Sequence, residues 1–402
     1  MSFLQGGLLL WLLLTMTPVS IAFIVGLIRL KSASTHRMSR EQAGPNSPVE
    51  IIVPLKGRMP GQENILKSLL EQSYSNYHVI FVVESDADAG NAMVDELCNR
   101  RPHARKVISG RSGSCAQKNY GLVEGVRHLR PETEFIVFCD STNAADPEWL
   151  EYFTAPLRSG EAEAVTTFRA FDPRPETLGG VCQAIYASFI LILLMLKPKP
   201  WGGGTGISRR TFEALNVVDV WSRTVVDDLV LGNILDRAGI RVKMTPRHLL
   251  QSPLRGQTIK GFLSYLDRQI LFPKFTNPGL WFITLILNLS VTLLSFVSLT
   301  VCILFPLGYV DVLAGVTCYG FLAILVTAVL ALRRVNQFPV RATRWVGSLL
   351  PLLVLSSFVY IRSLVVNHID WHGRRYLPGK GGVVICTTSP PSGSGNKAGE
   401  TS

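Results

Sequence analysis

Long runs without a single charge limit what this chain can fold into. No charged residue occurs from Met1 to Ile28, from Phe275 to Val310, or from Val312 to Leu332. Each run reaches or exceeds the roughly 20 apolar residues a helix needs to cross a bilayer. Backbone groups in lipid must be satisfied within their own segment, so such runs are read as helices. Residues 1–28 are expected to form a transmembrane anchor. Arg29, Lys31, His36, Arg37 and Arg40 come after its apolar core, whereas a cleaved signal peptide carries its charge before it. Basic residues collect on the cytoplasmic side, so the domain beyond the anchor is expected in the cytoplasm. Residues 276–366 are expected to hold further transmembrane helices, with a hairpin turn near Gly308-Tyr309-Val310-Asp311. Arg333, Arg334, Arg341 and Arg344 return its far end to the cytoplasm. The last apolar stretch, Val346 to Val366, carries Pro351 and Arg362 and either spans or lies in the interface.

Other segments mix apolar and charged residues. Leu178 to Leu196, closed by Lys197-Pro198-Lys199-Pro200, is short for a crossing and reads as interfacial or re-entrant. Residues 257–275 read as an amphipathic helix along the membrane surface. Residues 387–402, rich in Ser, Pro and Gly, read as a disordered tail.

Only 17% of the chain is charged, against about a quarter in ordinary soluble proteins. The net charge of +11 suits a membrane surface or nucleotide phosphates. Basic and aromatic residues are not interleaved, so no nucleic-acid partner is expected. Seven scattered cysteines without a CxxC pair argue for reduced thiols, and against a disulfide framework or structural zinc.

Residues 48–255 alternate short apolar runs with helical stretches, the pattern of an α/β domain with a parallel, doubly wound sheet. The runs are residues 49–55, 78–83, 106–109, 135–139 and 164–168. Two of them end in acids. Phe135-Ile136-Val137-Phe138-Cys139 runs into Asp140, and His78 to Val83 runs into Glu84-Ser85-Asp86-Ala87-Asp88. Ligands of open α/β sheets sit at the carboxyl ends of strands. A carboxylate there suits a hard divalent cation holding a diphosphate, although a plain helix cap explains one acid equally well. Gly202-Gly203-Gly204-Thr205-Gly206 permits close backbone approach or is a flexible turn. Asp227 and Asp228 open another helix, as caps or as a base beside the crevice.

The residues Ile52-Val53-Pro54-Leu55-Lys56-Gly57, Glu84 to Asp88, Lys118-Asn119, Phe138-Cys139-Asp140-Ser141, Gly204-Thr205-Gly206 and Asp227-Asp228 resemble membrane-bound inverting glycosyltransferases of family 2 type. Within these, the chain looks most like the ceramide glucosyltransferase group, including bacterial enzymes that glycosylate hopanoid lipids. Trp371-His372-Gly373-Arg374-Arg375-Tyr376 looks like the juxtamembrane ending of such enzymes. The resemblance implies a GT-A, Rossmann-like nucleotide-sugar fold. It implies a UDP-sugar donor bound through Pro54, Lys56, Glu84, Asp86, Asp88, Lys118, Asn119, Gly204 and Arg268. Asp140 would hold a divalent metal, Mg2+ or Mn2+, and Asp228, with Asp227 beside it, would be the base. The acceptor would be a hydroxyl of a membrane lipid, taken from the bilayer at a cytoplasmic face, that of a bacterial inner membrane rather than an organelle. Two departures stand out. Arg268-Gln269-Ile270-Leu271-Phe272 lacks the family's Arg-Trp pair, and Ser85 interrupts the first acidic motif. A polyprenyl-phosphate glycosyltransferase, a processive polysaccharide synthase and a catalytically inactive membrane scaffold remain alternatives.

Overall fold

Unbroken apolar strands need cover on both faces, and the computed structural model, which describes residues 3–35 and 46–388, supplies it. Its strands are β1 (Val49–Leu55), β2 (Tyr77–Val83), β3 (Ala104–Ile108), β4 (Phe135–Cys139), β5 (Ala164–Thr166) and β6 (Arg169–Asp172). They continue with β7 (Gly204–Ser208), β8 (Val242–Met244), β9 (Leu250–Pro253), β10 (Ile369–Trp371), β11 (Arg374–Pro378) and β12 (Val384–Thr388). The chain divides into two units. One comprises residues 30–169, 197–252 and 367 onward; the other comprises residues up to 29, 170–196 and 253–366.

The first unit is built on a seven-stranded sheet in the order β3-β2-β1-β4-β7-β5-β8. On β1, Val49, Ile51, Val53 and Leu55 join one buried cluster with Leu66, Leu69, Val94, Trp149 and Phe153. Ile52 joins Ile80, Val82, Ile136 and Phe138 in a second cluster with Leu122, Phe212, Trp221 and Leu235. Successive strand residues point to opposite faces, so a sheet covered twice must be apolar throughout. Each such side chain contributes roughly 1.5–3 kcal/mol by leaving water. The charged exception, Glu50, is 1% exposed and fully satisfied. Its Oε1 takes Arg105 Nη2 at 2.7 Å, and its Oε2 accepts from Arg130 N and Thr133 Oγ1. Pro54 is tolerated in central β1 because pairing with β4 stops at Ile52, before its missing N–H matters.

The sheet departs from the all-parallel expectation at one strand. β1, β2, β3 and β4 are mutually parallel where they pair, but β7 is antiparallel to both β4 and β5. The cause is local: Gly203 O accepts from Asp140 N, so β7 begins where β4 ends and runs back beside it. That reversal carries the glycine-rich turn to the carboxyl end of β4.

The C-terminal residues form a further three-stranded sheet, β10-β11-β12, which the sequence reading did not anticipate. Thr387 and Thr388 close β12, and the remainder of the expected tail lies outside the described residues, as do His36, Arg37 and Arg40.

The second unit is helical. Among the described residues, five helices are long and apolar enough to cross a membrane: Leu10–Thr35, Leu178–Leu196, Pro278–Leu307, Val312–Val335 and Ala342–Val365. Asp311, which interrupts the longest apolar region, caps the helix it precedes by accepting from Ala314 N at 3.0 Å. Asn288 bonds Ser356 and Ser357, and Thr292 bonds Ser357, each at 2.8 Å. Polar contacts of this kind join helices where no hydrophobic drive between them exists.

Candidate active site

A lysine is poorly placed in the first turn of a helix, where the dipole is positive. Lys118 sits in the first turn of Gln117–Arg127 because acids meet it there. Its Nζ lies 2.9 Å from Asp140 Oδ1 and 3.1 Å from Asp227 Oδ2, and donates to Gly202 O at 3.2 Å. Burial works to lower the Lys118 pKa, but Asp140, then Asp227 and Asp228, hold it well above its ordinary value.

Each acid arrives from a different element. Asp140 ends β4 and caps no helix; the next helix, Trp149–Arg158, begins nine residues on. Its side chain is 27% exposed. Asp227 precedes the helix Asp228–Arg237 without capping it, and its carboxylate goes to Lys118 instead. Its backbone is fixed from the core, because Trp221 Nε1 donates to Asp227 O at 3.0 Å. Leu231 N donates to the same carbonyl at 2.9 Å, so Trp221→Phe should remove one of its two hydrogen bonds and lower stability by about 1 kcal/mol, read as thermal unfolding in detergent.

Asp228 is the half-buried member of the pair. Its Oδ2 accepts from Gly202 N at 3.0 Å and its Oδ1 from Leu229 N at 2.7 Å. Burial, and then the neighbouring Asp227 charge, push its pKa up to about 6. Gly202 is the joint of the site. A Cβ there would fall 2.5 Å from Asp227 Oδ2 and 2.7 Å from Lys118 Nζ, so any side chain at this position must displace that ion pair.

The other residues singled out in the sequence scatter. Glu84 ends β2, with Lys56 Nζ 3.5 Å from Oε2 and Arg374 Nη2 on Oε1. Asp88 accepts from Gly57 N at 2.9 and 3.1 Å and from Gly90 N at 2.8 Å. It thus pins the loop after β1, where Gly57 has φ +71°. Asp86 is 77% exposed and 3.7 Å from Lys106. Asn119 is fully buried and bonds Thr224 O and Oγ1, steadying the segment ahead of Asp227. Gly204 stands opposite Cys139 within the sheet, where a Cβ would meet Thr167 Cγ2 at 2.6 Å. Pro54 packs under Gly121. Arg268 belongs to the helical unit, on Ile259–Thr276, with Nη1 3.5 Å from Ser264 Oγ. The sequence reading gave no role to Gly202, Gln117 or Arg374, although Gly202 and Arg374 lay in stretches already noted.

A divalent cation fits the chemistry of Asp140. Hard cations bind through one or two carboxylates and keep phosphate oxygens in their shell. Asp140 offers such a carboxylate, partly open to solvent. A second donor set among the described residues comprises Asp146, Glu148 and His248, whose ligand atoms lie within 4.8 Å of one another. There the His248 Nδ1 is 3.3 Å from Asp146, its ring stacks on Tyr152, and the Arg247 guanidinium covers the same Tyr152 at 4.3 Å. Each candidate thus has a cation near it, Arg247 here and Lys118 at Asp140.

The architecture is similar to solved structures at low sequence identity. A mannosyltransferase from Pyrobaculum calidifontis in complex with GDP-Man and Mn2+ matches with a TM-score of 0.54 and 16% identity, over 90% of this chain and 99% of that one. A glucosyl-3-phosphoglycerate synthase from Mycobacterium tuberculosis, in complex with Mn2+ and uridine-diphosphate-glucose, matches with a TM-score of 0.39 and 15% identity, over 60% and 84%. No curated protein matches by sequence. The fold is the GT-A type: a mixed α/β sheet with parallel strands, accompanied by long apolar helices. The family model for glycosyl transferase family 21 matches residues 13–384. By that match, which takes in nearly the whole chain, this protein belongs to glycosyl transferase family 21 and is a glycosyltransferase.

Proposed function

We propose that the enzyme moves a hexose from a UDP-sugar to a hydroxyl of a membrane lipid, with inversion at the anomeric carbon. One observation carries this reading: Asp140 and Asp228, from separate elements, are joined through Lys118 and Gly202 at the carboxyl end of β4. The acceptor oxygen attacks the anomeric carbon as the bond to the diphosphate breaks. The bonding pair leaves on the diphosphate oxygen, and the acceptor proton passes to Asp228. Lys118 keeps Asp227 neutralised, so the base function falls to the half-buried Asp228. Asp140 would hold a divalent cation, which when bound would neutralise charge on the diphosphate. An acceptor hydroxyl needs such a base, whereas a polyprenyl phosphate is already anionic; Asp228 therefore favours the hydroxyl lipid. The five apolar helices suit an enzyme whose donor is dissolved and whose acceptor lies in the bilayer, and the basic residues after the first helix favour a cytoplasm-facing catalytic unit.

Thermal shift of the detergent-solubilised chain tests the donor class. A ligand at 100 times its Kd raises stability by about 2.7 kcal/mol. UDP-sugars with Mg2+ or Mn2+ should shift the transition, and GDP-sugars should not; the reverse pattern would reject the uridine assignment. The base predicts a pH profile as well. With a pKa of about 6, Asp228 is ionised above that pH, so kcat should fall about tenfold per unit on acidifying below it. A flat profile from pH 7 to 5 would contradict this.

A further inference from the structure

The C-terminal sheet carries a buried arginine that the reaction above does not use. β10 and β11 are joined by His372 and Gly373 alone, at φ +48° and +71°, with Trp371 paired to Arg374. A two-residue turn with both centres left-handed is the hairpin connection whose twist matches its strands. The turn fixes two contacts at once. His372 O accepts from Lys56 Nζ at 3.1 Å, and Arg374 donates to both Glu84 Oε1 and Gln117 Oε1. Behind it, Tyr376 Oη accepts from Gln117 N at 3.3 Å. Gly382 O accepts from Val225 N at 2.9 Å, two residues before Asp227. One small sheet thus holds the ends of β1 and β2, the start of the Lys118 helix and the approach to Asp227.

Arg374 is 7% exposed, and Lys56 and Arg374 together exceed the charge of the one carboxylate between them. Among the described residues, Glu84 Oε2 is buried and accepts no hydrogen bond, its one charged neighbour being the Lys56 ammonium at 3.5 Å. Buried oxygens are rarely left so unless a ligand or water completes them. β2 lies two strands from β4, so Glu84 is set off from Asp140 by roughly 10 Å across the sheet, room for a nucleoside beside a diphosphate.

We infer that Arg374 is a positioning residue of the donor site: it holds Glu84 so that Oε2 can accept from the donor's nucleoside, making the C-terminal sheet part of that site. The inference rests on the nucleotide-sugar reading above. The fork of Arg374 reaches Glu84 and Gln117 together, which the single ammonium of a lysine cannot reproduce.

The test uses the full chain in detergent. Arg374→Lys should raise the donor KM about tenfold with kcat within about twofold, the scale of one hydrogen bond to a charged group. It should weaken inhibition by UDP to the same degree and leave inhibition by inorganic pyrophosphate unchanged, because only UDP carries a nucleoside. Arg375→Ala, which removes an exposed ion pair with Asp370 on the neighbouring face of the turn, should change none of these. Should Arg374→Lys fail to fold, Glu84→Gln provides the same KM and UDP readout without removing the arginine. Unchanged donor KM and UDP inhibition, or equal loss of UDP and pyrophosphate binding, would overturn the role given to Arg374 alone. A wild-type chain that binds neither UDP nor pyrophosphate would overturn the nucleotide-sugar reading and this inference with it.

Discussion

Asp228→Asn is expected to lower kcat by about 10² to 10⁴ while leaving donor affinity within about twofold, since proton acceptance is what a positioned base contributes. The amide keeps an oxygen for Gly202 N–H, so the turn that shapes the pocket survives, while the bond from Leu229 N is lost. Stability should change little. A carboxylate whose folded pKa stands near 6, above an ordinary value of about 3.9, binds its proton more readily in the folded state. Stability therefore declines as pH rises from about 4 to 6, and the charged carboxylate remains a cost at neutral pH. Replacing it with a neutral amide removes that cost and offsets the lost Leu229 bond, so the thermal midpoint at pH 7 should hold. A variant that is inactive and no less stable, with donor binding intact by titration, has lost a base rather than its fold. Turnover within tenfold of wild type would remove Asp228 from the mechanism.

The parts of this site differ in how far the sequence betrays them, for physical reasons. β1, β2 and β4 are covered on both faces, so they stand out as apolar runs, and the acids after β2 and β4 mark the crevice side. β7 has no such signature. Gly204 and Gly206 are there because Thr167 and Val165 leave no space for a Cβ, so packing against neighbours reads in sequence as a loose turn. The same packing hid the antiparallel strand, and with it the route by which Gly202 reaches Asp140. Lys118 gives no local signal at all; its reason for being in a helix's first turn lies in acids 22 and 109 residues away. Arg374 is 290 residues from Glu84 and shares no element with it. Contacts of that span depend on tertiary structure, whereas caps and strand periodicity are written within a few residues. Asp88 and Asn119 show the converse. Both sit in the motifs that carry the family resemblance, yet their side chains brace backbone, at Gly57 and Thr224.

The second large effect is expected at Asp140. In the wild type, Mg2+ or Mn2+ should tighten nucleotide-sugar binding, and a chelator should reverse it. Asp140→Ala should abolish that response: donor affinity becomes the same with and without metal, and falls by at least about tenfold to a hundredfold, the range seen when even an outer-shell partner of a metal is lost. Lys118 stays paired to Asp227 at 3.1 Å in this variant, so the pocket does not acquire an unmatched buried cation, and the thermal midpoint should change little. The competing donor set allows a direct comparison. Asp146, Glu148 and His248 offer three ligands where Asp140 offers one, and each set has two carboxylates and one cation near it, Arg247 in the first and Lys118, shared with Asp227, in the second. If the cation acts on the diphosphate, His248→Ala should leave the metal response of donor binding intact while Asp140→Ala removes it. The opposite result, a response lost in His248→Ala and kept in Asp140→Ala, would move the metal to the loop between Asp146 and Glu148. Asp140 would then remain only as a partner of Lys118.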